Sequence, residues 1–238
     1  MKITAAMILA AGRGVRMREL TDTTPKPLLT VHGTEMVNHI TNRIVSYGIH
    51  HIVVNTCYKA QMIKDTLNKR TDANFIFSDE SQALETGGGV KKALPLLLEQ
   101  GGENGFFVLN GDPLWSEPTL PLLTQMAEKW NPDTMDILLA IAPLSASRGD
   151  IQKGNYFIEN NKLRRIRPTE ETAPYFFMSV QIMHPRVFKN TPSGPFSSRD
   201  LYDKAQHAGR LAHLIHDGVW FNINTPEALQ VAEELYNP

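Results

Sequence analysis

Two glycines and four cations lie close together near the start of the chain: Gly12 and Gly14, with Arg13, Arg16, Arg18 and Lys26. Glycine lets a backbone turn sharply and approach a ligand closely. Successive N–H groups in such a turn form an anion-binding concavity. Ringed by cations, it has what a triphosphate needs. The turn is neither of the two common phosphate loops: it has no Gly-x-x-x-x-Gly-Lys-Ser/Thr and no third glycine for Gly-x-Gly-x-x-Gly. A lone Gly-x-Gly is a weak signal, so its neighbours must decide.

Three other stretches could do chemistry. Ser78 to Gly89 ends in Leu84-Glu85-Thr86-Gly87-Gly88-Gly89. Consecutive glycines cost conformational entropy. On composition they make a flexible loop; between a strand and a helix they could let backbone meet a flat ring edge-on. Glu80 could accept a hydrogen bond from a base N–H or simply be solvated. Val108-Leu109-Asn110-Gly111-Asp112 puts a carboxylate after an apolar run, which is costly unless a cation compensates; a capping turn before Pro113 is the bland reading. In Trp220 to Glu227, Thr225 before Pro226 reads as a helix cap with proline in the first turn.

These residues need a scaffold. Ile3 to Leu9 is apolar without alternation, as in a strand buried on both faces. Helical spacing runs over Met36 to Tyr47 and stops at Gly48. Strands follow at His51 to Asn55, Asn74 to Ser78, Phe106 to Leu109 and Ile137 to Ala142. Helices alternate with them at Lys59 to Lys69, Val90 to Leu98 (Pro95 notwithstanding) and Thr119 to Trp130. This rhythm predicts an α/β fold with a largely parallel sheet and helices on both faces. Ligands bind beyond the carboxyl ends of such strands, where the glycine turn and Asp112 both fall. Further on, Asn155 to Ile158 and Lys162 to Ile166 read as a hairpin around Asn160-Asn161. Tyr175 to Met183 is a strand; Ser198 to Ala208 and Pro226 to Tyr236 are helices.

The bulk properties remove several classes. A chain of 238 residues, 42% hydrophobic, suits one α/β domain, or two small ones at most. Arg164-Arg165-Ile166-Arg167 could suggest a nucleic-acid patch, but without interleaved aromatics and with a net charge of −1, which favours neither nucleic acid nor acidic membranes, it reads as a solvated hairpin edge. Cys57 is alone, which excludes an internal disulfide and suits the cytoplasm. The N-terminal apolar run reads as a first strand rather than a signal peptide. No stretch reaches the roughly 20 apolar residues of a membrane span. The histidines form no zinc-like cluster.

The string Leu9-Ala10-Ala11-Gly12-Arg13-Gly14-Val15-Arg16, followed by Pro25-Lys26-Pro27-Leu28, resembles the signature of the sugar-phosphate nucleotidyltransferases. Glu19 departs from it, where many members have proline. The glycine stretch from Leu84 most resembles the N-acetylmuramate-1-phosphate uridylyltransferases. The resemblance implies a single domain over residues 1–238 with a three-layer, Rossmann-like sandwich around a mostly parallel mixed sheet. It implies that a nucleoside triphosphate, UTP by preference, reacts with a sugar-1-phosphate, N-acetylmuramate-1-phosphate by preference, to give a nucleotide sugar and pyrophosphate. Mannose-1-phosphate with GTP, or a weakly active regulatory binder, are the alternatives. By the same resemblance Leu9, Ala10, Ala11, Gly12, Arg13, Gly14, Glu80, Gly87, Gly88 and Asn110 bind the nucleotide. Arg16, Lys26 and Asp112 carry catalysis, and Asp150, Asn155 and Ser179 take the sugar phosphate. Mg²⁺ would sit at Asp112 and at Asn222, where the family has a second aspartate; Asn224, Met178 and Ser179 also replace family residues. The implied state is a cytoplasmic monomer or small homo-oligomer.

Overall fold

The computed structural model describes residues 2–151 and 153–237. The first apolar run becomes a strand at Ala6–Leu9 (β1). Its side chains alternate between two cores: Ala6 and Ile8 enter one, Met7 and Leu9 the other. That is why the run shows no polar alternation. His51–Thr56 (β2), Asn74–Asp79 (β3) and Phe106–Asn110 (β4) follow. All pair in parallel, in the order β3-β2-β1-β4. Chain order reverses on either side of β1, and a crevice opens at the carboxyl ends there.

The sheet then becomes mixed. The other strands are Ile137–Pro143 (β5), Tyr156–Glu159 (β6), Lys162–Arg165 (β7), Tyr175–Met183 (β8) and Leu211–Ile215 (β9). Strand β8 runs antiparallel to β4 and β5, and β9 lies parallel to β5. The β6–β7 hairpin joins β8 through Tyr156 and Tyr175. It turns on Asn160 and Asn161, whose φ values of 50° and 60° are those of a primed turn. The α/β expectation holds.

Helices cover both faces. Met36–Tyr47 (α1), Ala60–Leu67 (α2) and Leu122–Lys129 (α4) pack on one through residues such as Ile40, Ile63 and Met126. Glu85–Glu99 (α3) and Ser198–His207 (α5) pack on the other through Val90, Leu97, Leu201 and Tyr202. Pro226–Leu235 (α6) is capped as expected, the Thr225 hydroxyl accepting from the Ala228 N–H at 3.2 Å. A third cluster, with Met17, Leu29, Phe221 and Tyr236, ties the glycine turn to the chain's end.

One helix begins earlier than its sequence suggests. α3 starts at Glu85, so Gly87, Gly88 and Gly89 lie inside its first turns and not in a loop. The Gly87 and Gly88 N–H groups both donate to the Phe196 carbonyl, at 2.9 and 3.1 Å. These are donors that a helix start leaves unsatisfied. Among the described residues no helix is long and apolar enough to cross a membrane.

Candidate active site

The carboxyl ends of β1, β2, β3 and β4 open into two joined cavities, of about 330 and 920 Å³. The smaller is lined by the glycine turn, Asn55, Glu80 and Lys26. The larger lies over β8 and the start of α5 and is lined by Asp150, Asn155, Ser179 and Gln181 among others. Leu9, Arg16, Asn110 and Asp112 border both, so they sit at the join.

The turn itself is built for anions. Among the described residues, none of the amides from Gly12 to Arg16 donates to a protein acceptor. Such a run of free donors in a concavity is an anion nest. Asn55 fixes its entrance: its Oδ1 accepts from the Ala10 N–H at 2.9 Å, and its Nδ2 donates to Glu80 at 2.7 Å. Gly14 has φ 72°, and a Cβ there would lie 2.7 Å from the Lys26 Cβ. Glycine is therefore required at 14 by backbone and packing together.

Only two of the four cations expected around the turn face both it and the join. Arg13 pairs with Asp22 at 2.9 Å and lies over the Tyr58 ring, while Arg18 pairs with Glu227. Arg16 reaches across the join to Asp150 at 3.0 Å. Lys26 is buried, and its Nζ donates to the Asp112 carboxylate and, at 2.8 Å, to Asn224 Oδ1. A buried ammonium is costly unless paired in this way. A small sheet of Leu114–Trp115, Trp220–Asn222 and Ser147–Gly149 brings Asn222 and Asp150 together.

Several sequence expectations change here. Glu80 is 7% exposed, so it is not solvated; its other oxygen accepts from the Leu84 N–H at 2.9 Å. Gly87 and Gly88 do not line either cavity, since their amides are used by Phe196. Instead of forming a loop, these glycines let the chain around Phe196 approach the start of α3 closely. Asn155 lines the larger cavity, although its Oδ1 accepts from the Phe177 N–H at 3.0 Å. Asn222 lines the larger cavity with its side-chain amide engaged at both atoms. Its Oδ1 accepts from Asn224 at 2.6 Å and its Nδ2 donates to the Asp150 carbonyl at 2.7 Å.

Among the described residues no cluster of three or more His, Cys, Asp or Glu could hold a metal by itself. Asp112 alone fits a divalent ion of the Mg²⁺ kind, which takes one or two carboxylates and completes its shell with phosphate oxygens and water. Two buried phenols, Tyr156 and Tyr202, line the larger cavity, and burial raises the pKa of each, which keeps them neutral donors. Asn55, Asn224 and Gln181 were not visible as site residues; the only trace of Asn55 is an amide closing a β-branched run.

Residues 5–237 match the family model for nucleotidyl transferase. The chain is 36% identical to the N-acetylmuramate alpha-1-phosphate uridylyltransferase of Caulobacter vibrioides over 96% of this chain and 95% of that one. It is 31% identical to the protein of the same name from Neisseria meningitidis, over 97% of each. In structure it is similar to HddC from Yersinia pseudotuberculosis complexed with GMP-PN, with a TM-score of 0.79, 20% identity and coverage of 99% and 100%. It is also similar to a UDP-glucose pyrophosphorylase from Acinetobacter baumanii, with a TM-score of 0.78, 18% identity and coverage of 98% and 93%.

Proposed function

Since the chain belongs to the nucleotidyl transferase family and is a sugar-1-phosphate nucleotidyltransferase, we propose that it joins UTP to N-acetylmuramate-1-phosphate. The whole chain acts as one domain in this reading. The observation that carries it is the run of unpartnered amides from Gly12 to Arg16 beside Arg16 and Lys26, opening into a second, larger cavity. The 36% identity to the Caulobacter uridylyltransferase supports the choice of sugar and base.

The sugar phosphate oxygen attacks the α-phosphorus in line, and pyrophosphate leaves. Catalysis of this kind is positioning and charge stabilisation. The free amides receive the triphosphate. Arg16 exchanges Asp150 for the phosphates and stabilises charge on the departing pyrophosphate. Lys26 faces the α-phosphate from the floor of the join. Asn110 lies beside the ribose, and Asp150 with Ser179 meets the sugar phosphate. Asp112 would hold Mg²⁺, which when bound neutralises charge on the nucleotide phosphates.

Pyrophosphate release across a panel of nucleoside triphosphates and sugar-1-phosphates tests this. UTP with N-acetylmuramate-1-phosphate should give the highest kcat/KM; a different best pair would overturn the choice of substrates. The engaged amide of Asn222 favours a second reading, a nucleotide-sugar binder without turnover. Tight UTP binding with no turnover of any pair would establish that one instead.

A further inference from the structure

On the wall of the larger cavity built by β8 and the start of α5 lie polar groups that the reaction does not use. Gln181 and Ser198 are each 2% exposed, yet Gln181 Oε1 and Ser198 Oγ have no hydrogen-bond partner. Both line the cavity. The Tyr202 hydroxyl is near both, close enough to favour its ionised form slightly against the larger effect of burial, but without the alignment of a hydrogen bond. Leaving such groups unsatisfied is costly. A buried polar cluster of this kind calls for a ligand that donates to one group and accepts from another.

Cations line this wall. Ser198 and Arg199 open α5, a ten-residue helix whose first turn also carries Asp200 and whose first amides are engaged by Thr86 Oγ1, Ser197 Oγ and the Ser197 carbonyl. Arg199 is exposed at the cavity rim and its side chain makes no ion pair among the described residues. Lys153 lines the same cavity. Arg165 does too, but Asp203 neutralises it. Of the cavity's acids, Asp112 and Asp150 are held by Lys26 and Arg16, and Glu85 stands at the join with the nucleotide cavity.

We propose that this wall is the specificity subsite for a carboxylate carried by the sugar: Arg199 takes the anion, while Gln181 Oε1 and Ser198 Oγ bind the polar groups next to it. This rests on the reading that the sugar is N-acetylmuramate, whose lactyl ether ends in a carboxylate. Gln181 Oε1 needs a donor, which an acetamido N–H or a ring hydroxyl supplies. Ser198 Oγ–H can donate to the carboxylate. Arg199 offers the planar, two-pronged geometry that suits a carboxylate.

The test compares N-acetylmuramate-1-phosphate with N-acetylglucosamine-1-phosphate, which lacks the lactyl arm. Wild type should prefer the muramate by kcat/KM. Arg199→Gln should reduce that preference at least tenfold, chiefly through KM, and Ser198→Ala should reduce it less. Arg199 is exposed, so its variant should melt with wild type. If wild type prefers the muramate and Arg199→Gln retains the full preference, the subsite is overturned while the assigned reaction stands. If wild type shows no preference for the muramate, the assigned sugar fails and the subsite with it.

Discussion

At Gly12 a Cβ would meet no atom within 4 Å, whereas at Gly87 it would lie 2.4 Å from the Phe196 ring. Both residues belong to glycine clusters that follow a parallel strand and precede helical structure. In the first cluster the amides from Gly12 onward are free. In the second the amides of Gly87 and Gly88 are spent on the Phe196 carbonyl, and a Cβ at Gly88 would lie 2.8 Å from the Gly194 carbonyl. Glycine thus serves an incoming ligand in one place and the protein's own chain in the other. The second cluster lets α3 sit against the segment before α5. The Ser198 N–H donating to Thr86 Oγ1 at 3.0 Å fastens the same contact.

The sharpest way to test the first half of this contrast is to remove the cation that its turn delivers. Arg16→Ala should lower kcat by about 10²–10³, the scale of losing one preorganised donor to a developing charge. Arg16 is paired but largely exposed, so stability should hardly move. A variant with near-normal kcat would show that Arg16 serves only its ion pair with Asp150.

The second half predicts damage to the fold instead. Gly88→Val forces a branched side chain against backbone, and overpacking of this kind costs about 1–3 kcal/mol. Urea denaturation should show that loss without nucleotide present. Full stability with selectively weakened UTP binding would reverse the comparison and return Gly88 to the nucleotide site.

How far these roles could be read from the chain depends on their range. The glycine turn was legible because its chemistry is local: the strand, the glycines and Arg16 are consecutive. The α/β rhythm was legible because each apolar run carries its own periodicity. The second glycine cluster misled because its partner, Phe196, is over a hundred residues away in sequence, and nothing local marks a contact of that kind. The same distance hid Asn224, which holds Lys26 across |i−j| of 198. Asn222 was legible as a departure from a family pattern, but its two engagements with Asp150 and Asn224 come from tertiary packing.

A gentler probe separates ligand from protein at the first turn. Gly12→Ala has open space for its methyl group and no left-handed φ to resist it. A compatible Gly→Ala change stabilises by about 0.4–1 kcal/mol. The unliganded variant should therefore melt at or slightly above wild type. Its affinity for UTP, measured by calorimetry, should fall about tenfold, which is roughly 1.4 kcal/mol. Equal affinity would mean that the nucleotide does not come close to Gly12.

Ser179 sharpens the comparison from the opposite side, because here a tight place has no glycine. It lies in β8 where the register against β5 breaks between Phe177 and Gln181, and its φ is 62°. Such a bulge beside a site re-aims a side chain, and Gln181 enters the larger cavity just after it. The left-handed region costs an ordinary residue roughly 1–2 kcal/mol. Glycine would remove that strain but lose about 0.5–1 kcal/mol in chain entropy. Ser179→Gly should thus raise stability by only about 0.5 kcal/mol. Ser179→Ala keeps the strain and should show no gain, which makes it the control. Urea midpoints for the three proteins decide the matter: alanine matching glycine would mean that the benefit comes from losing the hydroxyl and not from the backbone.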